Sequence, residues 1–331
     1  MKLCAGLPLA LRLAGSHLAL DATERGGVPD VAAYVKLLGS GRLAHLDADA
    51  ADAGEVTISE TLRLSEAGLP EPERGAWRGL GVFTVSFDAR AAQAVAGADD
   101  AMLVRFLGRS LLEREGTERF KVHDLAAEYA CAQLASEALT ALHLSHARHY
   151  TEVGDEADST YLKGDAVGGL ALFDRERAQI EVAWAWLAER EGEAAARQLI
   201  ALVDAVAYTI ALRFQPRQRI AWRESQLRAA RLVGDQRGEG KALGNLGDAH
   251  ADLGDARQAI GYFEQALLID REIGYKPGEG SDLWNSARAH ASLGNRPEAI
   301  ARAAAALEIY EAIAHPSAAK VRAKLAEWRA T

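Results

Sequence analysis

The C-terminal third of the chain repeats itself at a step of 40 residues. A step of that size leaves few folds open. Gly238-Glu239-Gly240 falls on Gly278-Glu279-Gly280, Leu243 on Leu283, and Asn245 on Asn285. Ala249-His250-Ala251 falls on Ala289-His290-Ala291, and Leu253-Gly254 on Leu293-Gly294. The match continues through Ala259-Ile260, Ala266-Leu267 and Ile269 onto Ala299-Ile300, Ala306-Leu307 and Ile309. A weaker earlier copy holds Ile220, Trp222 and Leu227, with Arg231–Gly234 set against Arg271–Gly274. Each copy reads as two helices. The first runs from Lys241 to Leu253 and ends at Gly254, which supplies a left-handed cap. Asp255 caps the second, which runs to Ile273. Gly247, Ala259 and Ala266 let the helices approach, and Leu243, Leu246, Phe263 and Leu267 fill the space between them. Such a unit cannot bury its apolar face alone, so copies must stack.

The spacing of Leu243, Gly247, His250, Gly254, Ala259, Phe263 and Ala266 resembles the tetratricopeptide repeat. The usual unit has roughly 34 residues, so a surplus of about six is expected in the linker Gly274–Gly280. The resemblance implies a superhelix whose concave groove holds a protein or peptide. On the groove-lining first helices we expect Lys241, Asn245, Asp248, Asp252, Trp284, Asn285 and Arg288. Asn245 and Asn285 are equivalent in successive copies, and an amide both gives and accepts hydrogen bonds. A ladder of them would hold an extended peptide backbone. The alternative is that each asparagine bonds within its own repeat.

At 331 residues the chain is long enough for two or three domains. Its net charge of -9 argues against gripping a phosphate backbone, which needs a basic face. The two cysteines, Cys4 and Cys131, exclude a disulfide framework and fit a reducing, cytoplasmic setting. Pro8 and Arg12 interrupt the apolar stretch Met1–Leu20, which argues against a signal peptide. No uninterrupted apolar run approaches the length of a membrane span.

Residues 46–134 have a different texture. Glu60–Ala67 is predicted helical, Gly68–Pro72 is a turn, and Arg74–Val82 is a second helix carrying Trp77 and Leu80. Phe83–Phe87 is short and β-like. Helices follow at Asp88–Val95 and Ala101–Leu112, then a hairpin from Leu111 to His123. Three helices and a terminal hairpin make a winged helix. The helix before the wing opens with Asp99 and Asp100, which would repel phosphates, so this element is expected to pack on protein; the alternative is a transcriptional regulator that contacts DNA through the winged helix. Residues 135–200 are helical, with Phe173, Ile180, Trp184 and Leu187 as a core stripe. The stretch Ala194–Leu212 is one more helix.

Three signatures occur in one order: Gly6-Leu7-Pro8-Leu9-Ala10-Leu11 opening a helix, Phe120-Lys121-Val122-His123-Asp124-Leu125 closing the winged helix, and the repeats. Together they resemble the signal-transducing ATPases with an NB-ARC module, of the type found in bacterial regulators. The resemblance implies a mainly α fold: a helical-subdomain remnant at 1–45, a winged helix with a small β-hairpin at 46–134, and an α–α superhelix at 135–331. It also implies nucleotide contacts: Gly6 and Leu7 place Pro8 on an adenine, His123 reaches a β-phosphate, and Asp124 orients its surroundings. The family's methionine is Val122 here. The larger departure is the P-loop, Gly-x-x-x-x-Gly-Lys-Ser/Thr, which the sequence lacks. Gly39–Arg42 and Val167–Leu170 fail its spacing. The chain is therefore expected to be the non-catalytic back half of such a protein. It would hold no cofactor by itself, and ADP or ATP only if a P-loop domain docks on residues 1–45. The N-terminal helix is expected to fold against residues 40–130.

Other constellations fall away. His143, His146 and His149 lack a carboxylate or cysteine at ligand spacing and read as a polar helix face, and no metal site is expected. Asp47, Asp49 and Asp52 lack the turn glycine and closing glutamate of a calcium loop. No nucleophile sits in a catalytic turn context.

Overall fold

The computed structural model describes residues 8–24, 26–36 and 53–330. Gly6, Leu7, Cys4, Gly39–Arg42 and the Asp47–Asp52 stretch lie outside them. The fold is mainly α, with one small sheet. The chain divides into two compact units, Met1–Tyr150 with Glu176–Ala183, and Thr151–Arg175 with Trp184–Thr331.

In the first unit, α1 (Pro8–Glu24) packs against α2 (Ala53–Ala67). Leu9 and Leu13 are buried, and Ser16 Oγ lies 2.6 Å from Ser110 Oγ. Then come α3 (Glu71–Gly79), a 3-10 turn (Leu80–Val82), β1 (Phe87–Asp88), α4 (Ala89–Ala96), α5 (Asp100–Gly108), β2 (Glu113–Glu115), β3 (Arg119–Lys121) and α6 (Asp124–Ala132). The three strands are antiparallel in the order β1-β3-β2, with Phe87 opposite Phe120 and Arg114 opposite Phe120 on its other side. The strands are shorter than the sequence predicts: Phe83 is a helix cap, and α5 stops at Gly108 so that Leu111 and Leu112 drop into the core. That core is aromatic. Phe83 stacks on Phe87 at 4.1 Å, and the fully buried Trp77 donates from Nε1 to the Leu111 carbonyl at 3.3 Å.

Several buried polar groups in this unit are paired, which offsets the cost of a low-dielectric interior. Arg119 on β3 grips the buried carboxylate of Glu176 at 2.7 and 3.2 Å and donates to the Ser86 carbonyl at 2.6 Å. Gln179 donates to the carbonyls of Val85 (2.9 Å) and Ser86 (3.1 Å), and its Oε1 lies 2.8 Å from His146 Nε2. His146 and His149 are buried, not a polar face. Phe83 and Tyr150 flank the His146 ring, and this burial lowers its pKa to about 4 and keeps it neutral. Among the described residues no cluster of histidines, cysteines and acids has metal-binding geometry.

The second unit is entirely helical. It contains the later part of α7 (Ser136–Leu162), parts of α8 (Ala166–Ala188), then α9 (Glu193–Ala205), α10 (Ala207–Arg213) and α11 (Pro216–Val233). Next follow α12 (Gln236–Leu253), α13 (Ala256–Glu272), α14 (Lys276–Ser292), α15 (Arg296–Ala312) and α16 (Ala318–Ala330). The single helix predicted over Ala194–Leu212 is broken at Val206 by a 62° bend between α9 and α10. The buried carboxylate of Asp158 accepts from the backbone N–H of Tyr208 (2.8 Å) and Thr209 (2.9 Å), so it supplies α10 with a fresh N-terminal cap. The core stripe is present: Phe173 and Leu187 are buried, and Trp184 stacks on Trp222 at 4.9 Å while donating to Ser225 Oγ.

From α11 onward the chain advances in steps of 20 residues. Gly234, Gly254, Gly274 and Gly294 all have positive φ, between 68° and 92°. The next backbone N–H after each bonds five residues back, as in Asp255 to His250 (2.9 Å) and Asn295 to His290 (3.0 Å). This is the Schellman closure. The residue after each glycine then precedes the next helix. The series ends at Ala314, whose φ is 51°, with His315 N–H on the Tyr310 carbonyl at 2.8 Å.

The 40-residue unit therefore holds no lengthened loop. Lys276, Pro277, Gly278 and Gly280, predicted as linker, form the first turns of α14. The surplus residues lengthen the helices to 17 or 18 residues each. Proline is at home in a helix's first turn, where its missing N–H costs nothing. The glycines sit inside helices because neighbours come too close for a side chain. A Cβ on Gly280 would stand 2.7 Å from Tyr310 Cε1.

Candidate functional site

The helices α12 and α14 lie side by side, with α13 behind them, and open a groove of about 650 Å³. Lys241, Asn245, Asp248 and Asn285 line it. Asn245 and Asn285 stand on successive first helices, one repeat apart. Asn285 accepts weakly from Arg288 Nη1 at 3.4 Å, whereas the side chain of Asn245 makes no hydrogen bond with the described residues.

Three expected groove residues lie elsewhere. Trp284 is 8 % exposed and stacks on Trp328 of α16 at 5.8 Å, within the core built around Leu283, Ala287 and Tyr310. Successive helical residues point about 100° apart, so Trp284 and Asn285 cannot share a face. Asp252, in the last turn of α12, is held by Arg219 Nη2 at 2.6 Å. Arg288 is exposed and reaches only the groove's edge through Asn285.

What the sequence reading missed is that this groove is acidic. Asp204, Asp235, Asp248, Asp270 and Asp282 line it, against two cations, Arg237 and Lys241. Both cations are engaged. Lys241 Nζ is 2.9 Å from Asp204 Oδ1, and the Arg237 guanidinium lies 4.8 Å over the Tyr275 ring. Asp235 accepts from Gly238 N–H at 2.9 Å. Asp270 and Asp282 are 4 % and 6 % exposed, and no hydrogen bond or ion pair satisfies either carboxylate among the described residues. Burial, then repulsion from Asp270 and Asp248, pushes the Asp282 carboxyl up to about 8. Burial pushes Asp270 to about 6, with Glu279 adding to the effect. Burial also raises Asp248 to about 6, against the pull of Arg288. The detectable signal was the pair Asp270 and Asp282 beside the glycines at 238, 240, 244 and 278, but only packing puts these residues together.

In the first unit, Pro8 is the first residue of α1. His123 is the N-cap of α6, and its Nδ1 accepts from Leu125 N–H at 3.3 Å. Asp124 is exposed, 3.7 Å from Lys121 Nζ. Asp99, one of the two aspartates before the hairpin, caps α5 by accepting from Met102 N–H at 2.8 Å. Arg105 of α5 and Arg109 just after it are taken up too, by Glu73 (2.9 Å) and by the Gly68 carbonyl (2.9 Å).

Comparison with known proteins bears on the repeats. Residues 238–312 match the family model for the tetratricopeptide repeat. No curated protein matches the chain. Among solved structures, it is similar to a signal transduction ATPase with numerous domains, carrying a tetratricopeptide repeat sensor, from Pyrococcus horikoshii. Identity is 16 %, with 80 % of this chain and 54 % of that one covered and a TM-score of 0.37. The chain thus spans about half the length of that protein. It is also similar to a kinesin light chain protein with nearly identical tetratricopeptide-like repeats from Podospora anserina. There identity is 16 %, coverage is 55 % of this chain and 86 % of that one, and the TM-score is 0.41. The C-terminal part of the chain carries tetratricopeptide repeats.

Proposed function

We propose that the chain is a non-catalytic binding module that holds a segment of a partner protein in the groove between α12 and α14. The observation that carries this reading is the groove itself. Matched first helices line it, and its Asn245 amide has no hydrogen-bond partner among the described residues. Tetratricopeptide repeats generally bind proteins on this concave face. Selection of a displayed random-peptide library against the full chain tests it. Enriched peptides are expected to lose at least tenfold in affinity for the double variant Asn245→Ala, Asn285→Ala. Undiminished binding by that variant would contradict the reading.

We further infer that the module belongs to a cytoplasmic signalling protein of the NB-ARC type. The ordered motifs around Pro8, His123 and Asp124 support this, as does a three-stranded sheet closing just before His123. With its Nδ1 accepting from Leu125, a neutral His123 carries its proton on Nε2, which suits it to donate to a phosphate oxygen. Pro8 would face the adenine, with Gly6 and Leu7 shaping the approach. The fit to a nucleotide is partial. The sequence provides this one donor but no P-loop to cradle β- and γ-phosphates, so a P-loop domain docking on residues 1–45 would have to complete the site. Calorimetric titration of ADP into the chain alone should show no binding in the micromolar range; clear binding would mean the chain holds nucleotide unaided. The capped N-terminus of α5 and the pairing of Arg105 and Arg109 disfavour DNA on the first unit.

A further inference from the structure

The groove's unmet need is for positive charge. Asp270 on α13 and Asp282 on α14 are each more than nine-tenths buried, face the groove, and have no hydrogen-bond or ion-pair partner among the described residues. A buried acceptor left unsatisfied costs free energy that a ligand donor would recover. The nearby cations cannot meet the need, because Lys241 is held by Asp204 and Arg237 lies over Tyr275. Glycines let the two carboxylates lie directly against the backbone of neighbouring turns. A Cβ on Gly240 would stand 3.0 Å from Asp270 Oδ1, and one on Gly244 would stand 2.8 Å from Asp282 Oδ1. A Cβ on Gly278 would collide with Asp270 Oδ2. Any other residue at these positions would push the acids out of place. The open space is on their other side, where both acids line the groove of about 650 Å³ and form an acidic slot in its wall.

We propose that this slot receives an arginine side chain from the partner segment, with its guanidinium donating to the Asp270 and Asp282 carboxylates. This deepens the groove-binding reading above and rests on it. A guanidinium is planar, presents five donors in a fixed fork, and is more weakly hydrated than an ammonium. It therefore suits a half-desolvated groove wall with two acceptors. A metal ion is a poorer occupant, since the acids do not converge as a ligand set. An acidic partner segment would add negative charge to five aspartates.

The slot also explains why the acids persist where burial penalises them. Buried carboxylates without partners lower the stability of the free chain, and an arriving cation removes that penalty. Binding and relief of the penalty are the same event.

The test uses a fluorescein-labelled peptide of glycine and serine carrying two arginines, its citrulline twin of the same shape without charge, and a lysine twin. Anisotropy with the full chain at 0.15 M salt should show the arginine peptide bound at least tenfold tighter than the citrulline one, with lysine between. Asp282→Asn should weaken the arginine peptide at least tenfold. Gly244→Ala keeps every charge but pushes the Asp282 carboxylate out of position, and should weaken it at least fivefold. The double variant Glu189→Gln, Glu191→Gln, in the exposed turn before α9, removes the same kind of charge away from the groove and should change nothing. Thermal melts of all variants establish that each is folded. Equal binding of the arginine and citrulline peptides would overturn the proposal, as would an arginine peptide indifferent to both Asp282→Asn and Gly244→Ala. If the displayed library instead yields peptides without arginine that still depend on Asn245 and Asn285, the groove reading stands and the arginine slot falls. If no peptide depends on either set of residues, both fall.

Discussion

Asp282 illustrates how a single residue joins stability to function. Its carboxyl titrates near 8 in the folded chain, against about 4 when unfolded. Below pH 4 the group is protonated in both states and costs nothing. As pH rises toward 8, the unfolded chain releases this proton while the folded chain retains it, so stability falls across that window. Asp248 and Asp270, raised to about 6, push the same way over a narrower range. Asp282→Asn should raise stability at pH 8 by at least about 1.4 kcal/mol, the equivalent of one pKa unit, and leave it unchanged at pH 4. Denaturant unfolding at the two pH values checks this; a variant less stable at pH 8 would show the carboxylate to be satisfied. Ala314 gives a second residue-scale test. It adopts φ 51° at the position where the four earlier turns use glycine. Ala314→Gly should stabilise the chain by about 0.5–1 kcal/mol, read as a higher Tm. Neither property was legible beforehand. Alanine is silent about its dihedral, and an aspartate one helix away from its repellent neighbour looks like any surface acid.

At the scale of the element, the sequence was read most successfully where one residue type fixes one geometry. Gly254 ends a helix, and Phe263 packs against a glycine on the preceding helix. A Cβ on Gly247 would meet the Phe263 ring at less than contact distance. Gly247→Ala should therefore cost about 1–3 kcal/mol, although alanine is the better helix former. A neutral or stabilising outcome would mean that the two helices are free to separate. Where glycine has two meanings, the reading failed. Gly278 and Gly280 look like loop and instead allow close helix contact, which is why the pattern points to a linker there. The break at Val206 was missed for a different reason: its cause, Asp158, lies some fifty residues earlier in the chain. Asp158→Ala removes two bonds to the N-terminus of α10 and should destabilise the chain by about 1–2 kcal/mol, as loss of a helix cap does. Urea unfolding measures this, and no change would leave the bend without its cause.

For the molecule as a whole, the 40-residue step specified the stacked helices but not the chemistry of their groove. Asn245 and Asn285 were visible because they repeat, and the two face the groove together. Trp284 was misplaced because the pattern alone does not tell which side of α14 the later helix α16 covers. Asp270 and Asp282 lie on different helices, so their meeting belongs to the tertiary fold. The groove-binding account stands or falls on where a partner segment sits. Hydrogen–deuterium exchange of the full chain, with and without the arginine peptide, reads this directly. The account predicts slower exchange confined to α12, α14 and the end of α13 around Asp270, with none in residues 53–132. Protection in α2 to α6 with the repeats unchanged, or no protection anywhere at saturating peptide, would contradict it.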